Sequence, residues 1–423
     1  MAPPNKRKIL NDPVYGFISL RYGLTLDLMD HPFMQRLRRI SQLGLSHLVY
    51  PGAVHNRFHH AVGAMYLMQE AIDTLREKGV AITDEEAEGA CAAILLHDIG
   101  HGPFSHALEH SLVEGVQHED ISVLMMNRIN EELSGALDCA IDIFNDHHPK
   151  PFLHQLVSSQ LDMDRLDYLA RDSFYSGVAE GKVGSERIIK MLNVVGGNLV
   201  IEEKGIYSIE KFLVARRLMY WQVYLHRTVL SAEFMLMQCL KRAHELGEAG
   251  DALFATPALG MFLRNRLDKA RFLADPDILD RFADLDDSDI LSALKAWRHH
   301  DDFVLSTLAG RLIGRKLFRI ELRAQAFSED EIAAKVTALA HLWNIPEETA
   351  ARFVLNDRVR NQAYRAGGIQ VLFKDGRVVD LGDALDDTRN ASDLVVAKSF
   401  LCYPKEVDAA PATDAVAAPS FIR

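Results

Sequence analysis

The chain has 423 residues, 48% of them hydrophobic and 25% charged, the balance of a globular protein able to bury a sizeable core. Its 47 Lys and Arg against 59 Asp and Glu leave a net charge of −12, which argues against a sequence-independent grip on nucleic-acid backbone but leaves room for a local basic pocket. No run reaches the roughly 20 apolar residues that span a bilayer, and MAPPNKRKIL lacks a signal-peptide core, so a soluble, cytoplasmic protein without a membrane partner is expected.

The ends MAPPNKRK and DAAPATDAVAAPS are Pro- and Ala-containing and are expected to fray. From Pro32 to Leu43 the apolar positions Phe33, Leu37, Ile40 and Leu43 alternate with Arg36, Arg38 and Arg39, which predicts an amphipathic helix. Asn56 to Leu75 reads as a longer helix with Asn56 as its N-cap. EEAEGACAAILLHDIG has an acidic first turn and a nearly all-apolar body, the pattern of a buried helix that Gly100, Gly102 and Pro103 stop. NLVIEEKGIYSI predicts a hairpin about Lys204-Gly205, and IQVLFKDGRVVDL one about Asp375-Gly376. Long helices are expected between Ser208 and Leu246. The fold class is therefore mainly α, with a smaller α+β region late in the chain. Cys91, Cys139, Cys239 and Cys402 are scattered without a CxxC pair and read as free thiols of a reducing compartment.

Four segments carry potential chemistry. His97-Asp98 falls where a buried helix breaks; a cation and a capping His–Asp hydrogen bond account for the pair equally well. HNRFHH puts Arg57 and His60 on one helical face, but His55 and His59 also share a face, so spacing leaves open which imidazole turns inward. In DMDRLDYLARD, Asp164, Tyr168 and Asp172 recur every fourth residue along one face. That segment alone reads most simply as a solvated, ion-paired surface; the functional alternative makes Asp164 a ligand and turns Arg165 and Tyr168 to substrate. His101, His106 and His118 then follow the helix break, within reach of proton transfer to a phosphate. Taken together, His60, His97, Asp98 and Asp164 supply two imidazoles and two carboxylates. That donor set suits divalent Fe, Mn, Zn, Co or Ni, with Mg at a more oxygen-rich companion position, and it fits hydrolysis of a phosphate ester.

In this order HNRFHH, HDIGHGPFSH, HED and DMDRLDYLARD closely resemble the HD-domain phosphohydrolases, and within them the deoxynucleoside triphosphate triphosphohydrolases of the SAM-and-HD-domain type. The likeness runs from about Asn11 to Arg227 and continues faintly to about Phe318. It implies an HD helical core with small β-hairpins over residues 9–320 and a smaller α+β region over 321–405, between flexible ends at 1–8 and 406–423. It implies metal ligation by His60, His97, Asp98 and Asp164, and catalytic roles for His101, His106, His118 and Glu109, with His106 the acid for the leaving 5′ oxygen. Arg57, Arg165, Tyr168 and Arg216 match triphosphate-contacting positions; Gln42, Asp172 and Tyr224 match positions around the sugar. Asn11, Asp30, Gln35 and Arg38 match an allosteric site for a nucleotide activator.

The resemblance further implies a dNTP substrate, cleavage at the α-phosphorus to deoxynucleoside and triphosphate, and a homo-oligomer, dimer or tetramer; nucleic acid is not an expected partner. The sequence departs from the family pattern at Glu109, which replaces Asp, at Arg165, which replaces Lys, and at His59, which replaces an acid; no SAM domain is expected. Three cations, Arg57, Arg165 and Arg216, favour a long phosphate chain over a monophosphate. The alternatives are a nucleotide monophosphatase, a cyclic-nucleotide phosphodiesterase, a guanosine polyphosphate hydrolase, or a catalytically weak nucleotide sensor.

Overall fold

The computed structural model describes residues 8–21, 23–104, 113–362, 368–385 and 395–409. Three helices make the centre of a mainly α fold: Arg57–Glu77 lies against both Asp84–Leu96 and Met163–Ser176. Each start is fixed by a side chain that satisfies an orphan backbone donor. Asn56 accepts from His59 N, Thr83 and Glu86 cap each other reciprocally, and Asp162 accepts from Arg165 N at 2.7 Å. The Asp84–Leu96 helix is buried from Gly89 onward, which is why its sequence is apolar all round. Its end therefore delivers His97 and Asp98 into the interior.

The stretch from Pro32 to Leu43 is not one helix, as its periodicity predicts. A short helix, Pro32–Arg36, runs into a 3₁₀ turn, Leu37–Arg39, and the chain then extends so that Ser41 bridges to Asn56. Tertiary pairing overrides the local pattern there. The first predicted hairpin is also shifted. Its arms are Leu192–Val195 and Asn198–Glu202, and they turn at Gly196-Gly197, both at positive φ, the conformation a two-residue hairpin turn requires. Lys204-Gly205 instead belongs to a 3₁₀ turn that leads into the helix Ile206–Met219. A π-turn, Tyr220–Tyr224, separates that helix from Arg227–Glu248.

The Asp375-Gly376 hairpin forms from Gln370–Leu372 and Val378–Asp380 and joins the earlier one in a four-stranded sheet. Ile201 and Glu202 pair in parallel with Val371 and Leu372. A second sheet places Val395–Tyr403 between Arg319–Arg323 and Leu355–Gln362. An N-terminal hairpin, Ile9–Asp12 with Gly16–Ser19, escaped the sequence reading. Asp12 Oδ1 accepts from Val14 N and Tyr15 N, so the turn signal was the side chain–backbone chemistry of Asp-Pro. Cys91, Cys139, Cys239 and Cys402 are all free thiols.

Candidate metal centre and substrate cavity

His60 lies in the first turn of Arg57–Glu77, His97 and Asp98 just beyond Asp84–Leu96, and Asp164 in the first turn of Met163–Ser176. Three helix ends thus converge. His60 Nε2 lies 3.3 Å from His97 Nε2 and 3.1 Å from Asp164 Oδ1, and His97 Nε2 lies 3.5 Å from Asp164 Oδ1. Asp98 stands at the edge of this group, with Oδ1 3.4 Å from His97 Nε2 and Oδ2 3.8 Å from His60 Nε2. Donors bound at about 2.1 Å to one cation would stand roughly 3.0–3.4 Å apart, and the convergent atoms of His60, His97 and Asp164 come close to that spacing, so these three suit a divalent metal, with Asp98 beside them.

Both imidazoles are oriented from behind. His60 Nδ1 donates to Asp167 Oδ2 at 2.7 Å, and His97 Nδ1 to the carbonyl of Ile94 at 2.6 Å, which turns each Nε2 into the site. Asp167 is fully buried and receives Arg171 Nε and Nη2 at 3.0 and 2.9 Å; Arg171 Nη1 donates to Asp12 at 2.7 Å. Burial pushes the His60 imidazole down, but the bonds to Asp164 and Asp167 outweigh it and hold it up to about 10. Burial raises the Asp98 carboxyl, and His97, Arg57 and His101 together pull it well below the usual range. Asp164 is likewise held down against burial by bonds from His60 and His97. In the metal-free chain the carboxylates are therefore ionised, and a proton stands where a cation would bind.

Beside this centre lies a cavity of about 800 Å³ lined by Gln42, Arg57, Tyr168, Asp172 and Tyr224 with Phe104 and Phe234. Arg57 joins cavity to metal centre through an ion pair with Asp98. Tyr224 donates to Asp172 Oδ2 at 2.7 Å, while His55 Nε2 bonds Asp172 Oδ1 at 2.8 Å, so the buried Asp172 is braced from both sides. Burial raises the Tyr168 phenol, and Arg216 and Arg165 pull it the other way, which places Arg216 close to the same wall.

The HD-domain family model matches residues 57–172, which hold all four convergent residues, and the model of the HD-associated region matches 183–256. A solved Bacteroides thetaiotaomicron phosphohydrolase is 52% identical, with a TM-score of 0.91 over 94% of this chain and all of that one. This chain belongs to the HD-domain phosphohydrolases. The uncharacterized protein YwfO of Bacillus subtilis is 35% identical over 75% of this chain and 74% of its own length. The deoxynucleoside triphosphate triphosphohydrolase SAMHD1 homolog of Dictyostelium discoideum is 31% identical over 58% of this chain, and the match spans about half, 51%, of that relative.

In this HD protein the other expected active-site residues divide. His101 and His118 stack, ring centroids 3.8 Å apart, and His101 Nε2 lies 3.3 Å from Asp98 Oδ1. Asp98, His101 and His118 form a second convergent group against the first. Gly100 N donates to Ser122 Oγ, which donates to the carbonyl of His97 at 2.9 Å, so the HD turn is pinned to the helix that begins at His118. His106 and Glu109 lie outside the described residues. Arg165 pairs with the buried Asp162 and, with His118 and Asp164, lines a second cavity of about 730 Å³. Arg216 is half-buried, and its Nε has no hydrogen-bond partner among the described residues.

The four expected activator residues do not form one bonded cluster. Arg38 Nε donates to Gln35 Oε1 at 2.9 Å, exposed Asp30 pairs with Lys8, and Asn11 is exposed on the N-terminal hairpin opposite Phe17. Sequence reasoning missed Asp167, Arg171 and Asp12. Asp167 and Arg171 stand four apart on one helix, a readable ion-pair spacing, but the link to Asp12 crosses 159 residues. No helix among the described residues is long and apolar enough to cross a membrane.

Proposed function

We propose that this protein hydrolyses deoxynucleoside triphosphates to deoxynucleoside and inorganic triphosphate. The observation that carries the reading is the junction at Arg57. It pairs with Asp98 of the metal centre and lines the cavity walled by Gln42, Tyr168, Asp172 and Tyr224. A deoxynucleoside triphosphate whose nucleoside sits in that cavity presents its α-phosphate to the His60, His97, Asp98 and Asp164 group. Those four residues would hold a divalent cation, which would lower the pKa of bound water and neutralise phosphate charge.

Arg57 and Arg216 balance the charge of the phosphate chain, and Tyr168 packs between them and the sugar. A water oxygen gives up a proton to solvent and bonds the α-phosphorus as the P–O5′ bond breaks; the departing oxygen takes a proton from the histidine set, of which His101 and His118 face Asp98. The similarity to SAMHD1 relatives supports the substrate class, and four free thiols support a cytoplasmic home.

The test is incubation with Mn²⁺ and each dNTP, singly and mixed, with products resolved by ion-pair chromatography. Triphosphate and deoxynucleoside are expected. Release of phosphate or pyrophosphate, or no turnover, overturns the proposal, and turnover only in mixtures assigns an activator.

A further inference from the structure

A carboxylate far along the chain sits behind the cavity wall. Asp287 opens the helix Asp287–Trp297, beyond both matched family regions, and is 8% exposed. Its Oδ2 accepts from Ser41 N at 2.8 Å and its Oδ1 from Phe104 N at 3.0 Å. Each oxygen thus holds a different segment, and the residues held flank or form the cavity. Gln42 follows Ser41, and both Gln42 and Phe104 line the 800 Å³ space.

The strap that carries Gln42 runs beside the metal-ligand helix: Gln42 N donates to the carbonyl of His55 at 3.0 Å, and Arg57 N to that of Ile40 at 2.9 Å. Gln42 Oε1 is buried with no hydrogen-bond partner among the described residues, so this acceptor is left for a ligand. Phe104 holds φ of 51°, a left-handed conformation that a bulky residue adopts only when its surroundings fix it. Neighbouring contacts repeat the tie. Buried Arg36 donates to the carbonyls of Leu285 and Ile99 at 2.8 and 3.3 Å, and Arg39 pairs with Asp286.

We infer that Asp287 is a positioning residue for substrate, a two-oxygen clasp that sets the gap between Gln42 and Phe104 at the nucleoside end of the cavity. The inference rests on the proposed nucleotide substrate only for the kinetic part of its test. An asparagine is isosteric but offers one acceptor oxygen, so its amide group must face one of the two N–H donors.

The experiment compares full-length wild type with Asp287→Asn by hydrogen exchange, by metal content and by steady-state kinetics well below the melting temperature. Asp287→Glu serves in its place if the first variant does not fold. The expected result is faster exchange in peptides containing Ser41 or Phe104, unchanged metal content, and a KM for dNTPs raised about tenfold with kcat within about threefold. Unchanged exchange, or loosened segments with unchanged KM, overturns the inference; so does loss of metal. If the wild type turns over no dNTP, the substrate proposal falls separately. Asp287 is then judged by exchange and by KM for bis(p-nitrophenyl) phosphate, and an unchanged value of either overturns it.

Discussion

His60 and Asp167 are joined by a 2.7 Å hydrogen bond in which both side chains are wholly buried, and the bond aims His60 Nε2 at Asp164. A carboxylate behind a ligating imidazole fixes its tautomer and raises its basicity. Asp167→Asn keeps the shape but removes the charge that also neutralises Arg171. Metal affinity is expected to fall by about 10–100-fold, the usual cost of such a partner, as read by competition with a chromogenic chelator. Affinity equal to wild type would show that His60 needs no orientation.

The same pair explains a glycine. A Cβ on Gly63 would lie 2.0 Å from Asp167 Oδ1 and 2.1 Å from Arg171 Nη2, so Arg57–Glu77 approaches the ion pair only because this residue has no side chain. Neither group can withdraw without breaking the buried bridge. Gly63→Ala is expected to destabilise by about 1–3 kcal/mol despite its better helix propensity, and a thermal or urea melt checks it. A stabilised variant would refute the close approach.

Removing bound metal tests whether the four candidate residues hold one. Dialysis against a chelator is expected to abolish hydrolysis and lower the melting temperature, since a cation that binds only the folded chain stabilises it by mass action. Mn²⁺ should restore both. In a His97→Ala/Asp98→Ala variant metal content should drop to background and added Mn²⁺ should no longer raise the melting temperature. Retention of one equivalent in that variant would place the metal elsewhere.

The centre was legible in the sequence because its residues sit where helical spacing and helix ends are readable: Arg57 and His60 on one face, His97-Asp98 at a break, Asp164 in a first turn. What supports it was not. The Asp12–Arg171 bond spans 159 residues and the Ser41–Asp287 bond 246, and no local pattern encodes such contacts. The 32–43 stretch failed for a related reason. Its amphipathic period is real, but Ser41 finds better partners in Asn56 and Asp287 than in another helical turn. The misplaced hairpin is a local error instead: Gly196-Gly197 and Lys204-Gly205 both signal turns, and only the first pair has the positive φ a hairpin needs.

Away from the site, a charge network should set part of the acid stability. Arg242 donates to Asp302 at 3.2 and 2.6 Å and to Glu245 at 2.9 Å, and Arg352 to Glu245 at 2.6 Å. Burial is the largest single influence and raises both carboxyls, but the arginine bonds and charges together outweigh it and hold each below its usual range. Groups depressed in the folded state stabilise it above their unfolded values, near pH 4, and lose that contribution as pH falls further. The wild type should therefore lose melting temperature more steeply below about pH 4 than Glu245→Gln/Asp302→Asn, a variant whose new asparagine can still cap the helix that Asp302 caps. Parallel curves would assign the network no role in acid stability.

Tyr224 offers the sharpest test of the cavity. Its hydroxyl is committed to Asp172 Oδ2, and the other oxygen of Asp172 to His55, so this wall of the cavity is a braced triad and not a set of mobile side chains. The Tyr224 ring meets Tyr168 edge-on with centroids 6.1 Å apart, which fixes both rings. Tyr224→Phe keeps the ring and leaves one carboxylate oxygen without that donor. Loss of a hydrogen bond to a charged group costs about 1.5–3 kcal/mol. If the wall positions the sugar, kcat/KM for dNTPs should fall by about 10–100-fold with metal content near wild type, beside a melting temperature lowered by no more than a few degrees from the lost bond. The preference for dNTP over the matching ribonucleotide should fall with it, because a loosened wall no longer excludes the 2′-hydroxyl. Equal losses on both substrates would move the sugar away from this wall, and a loss of metal would make Tyr224 part of the centre instead.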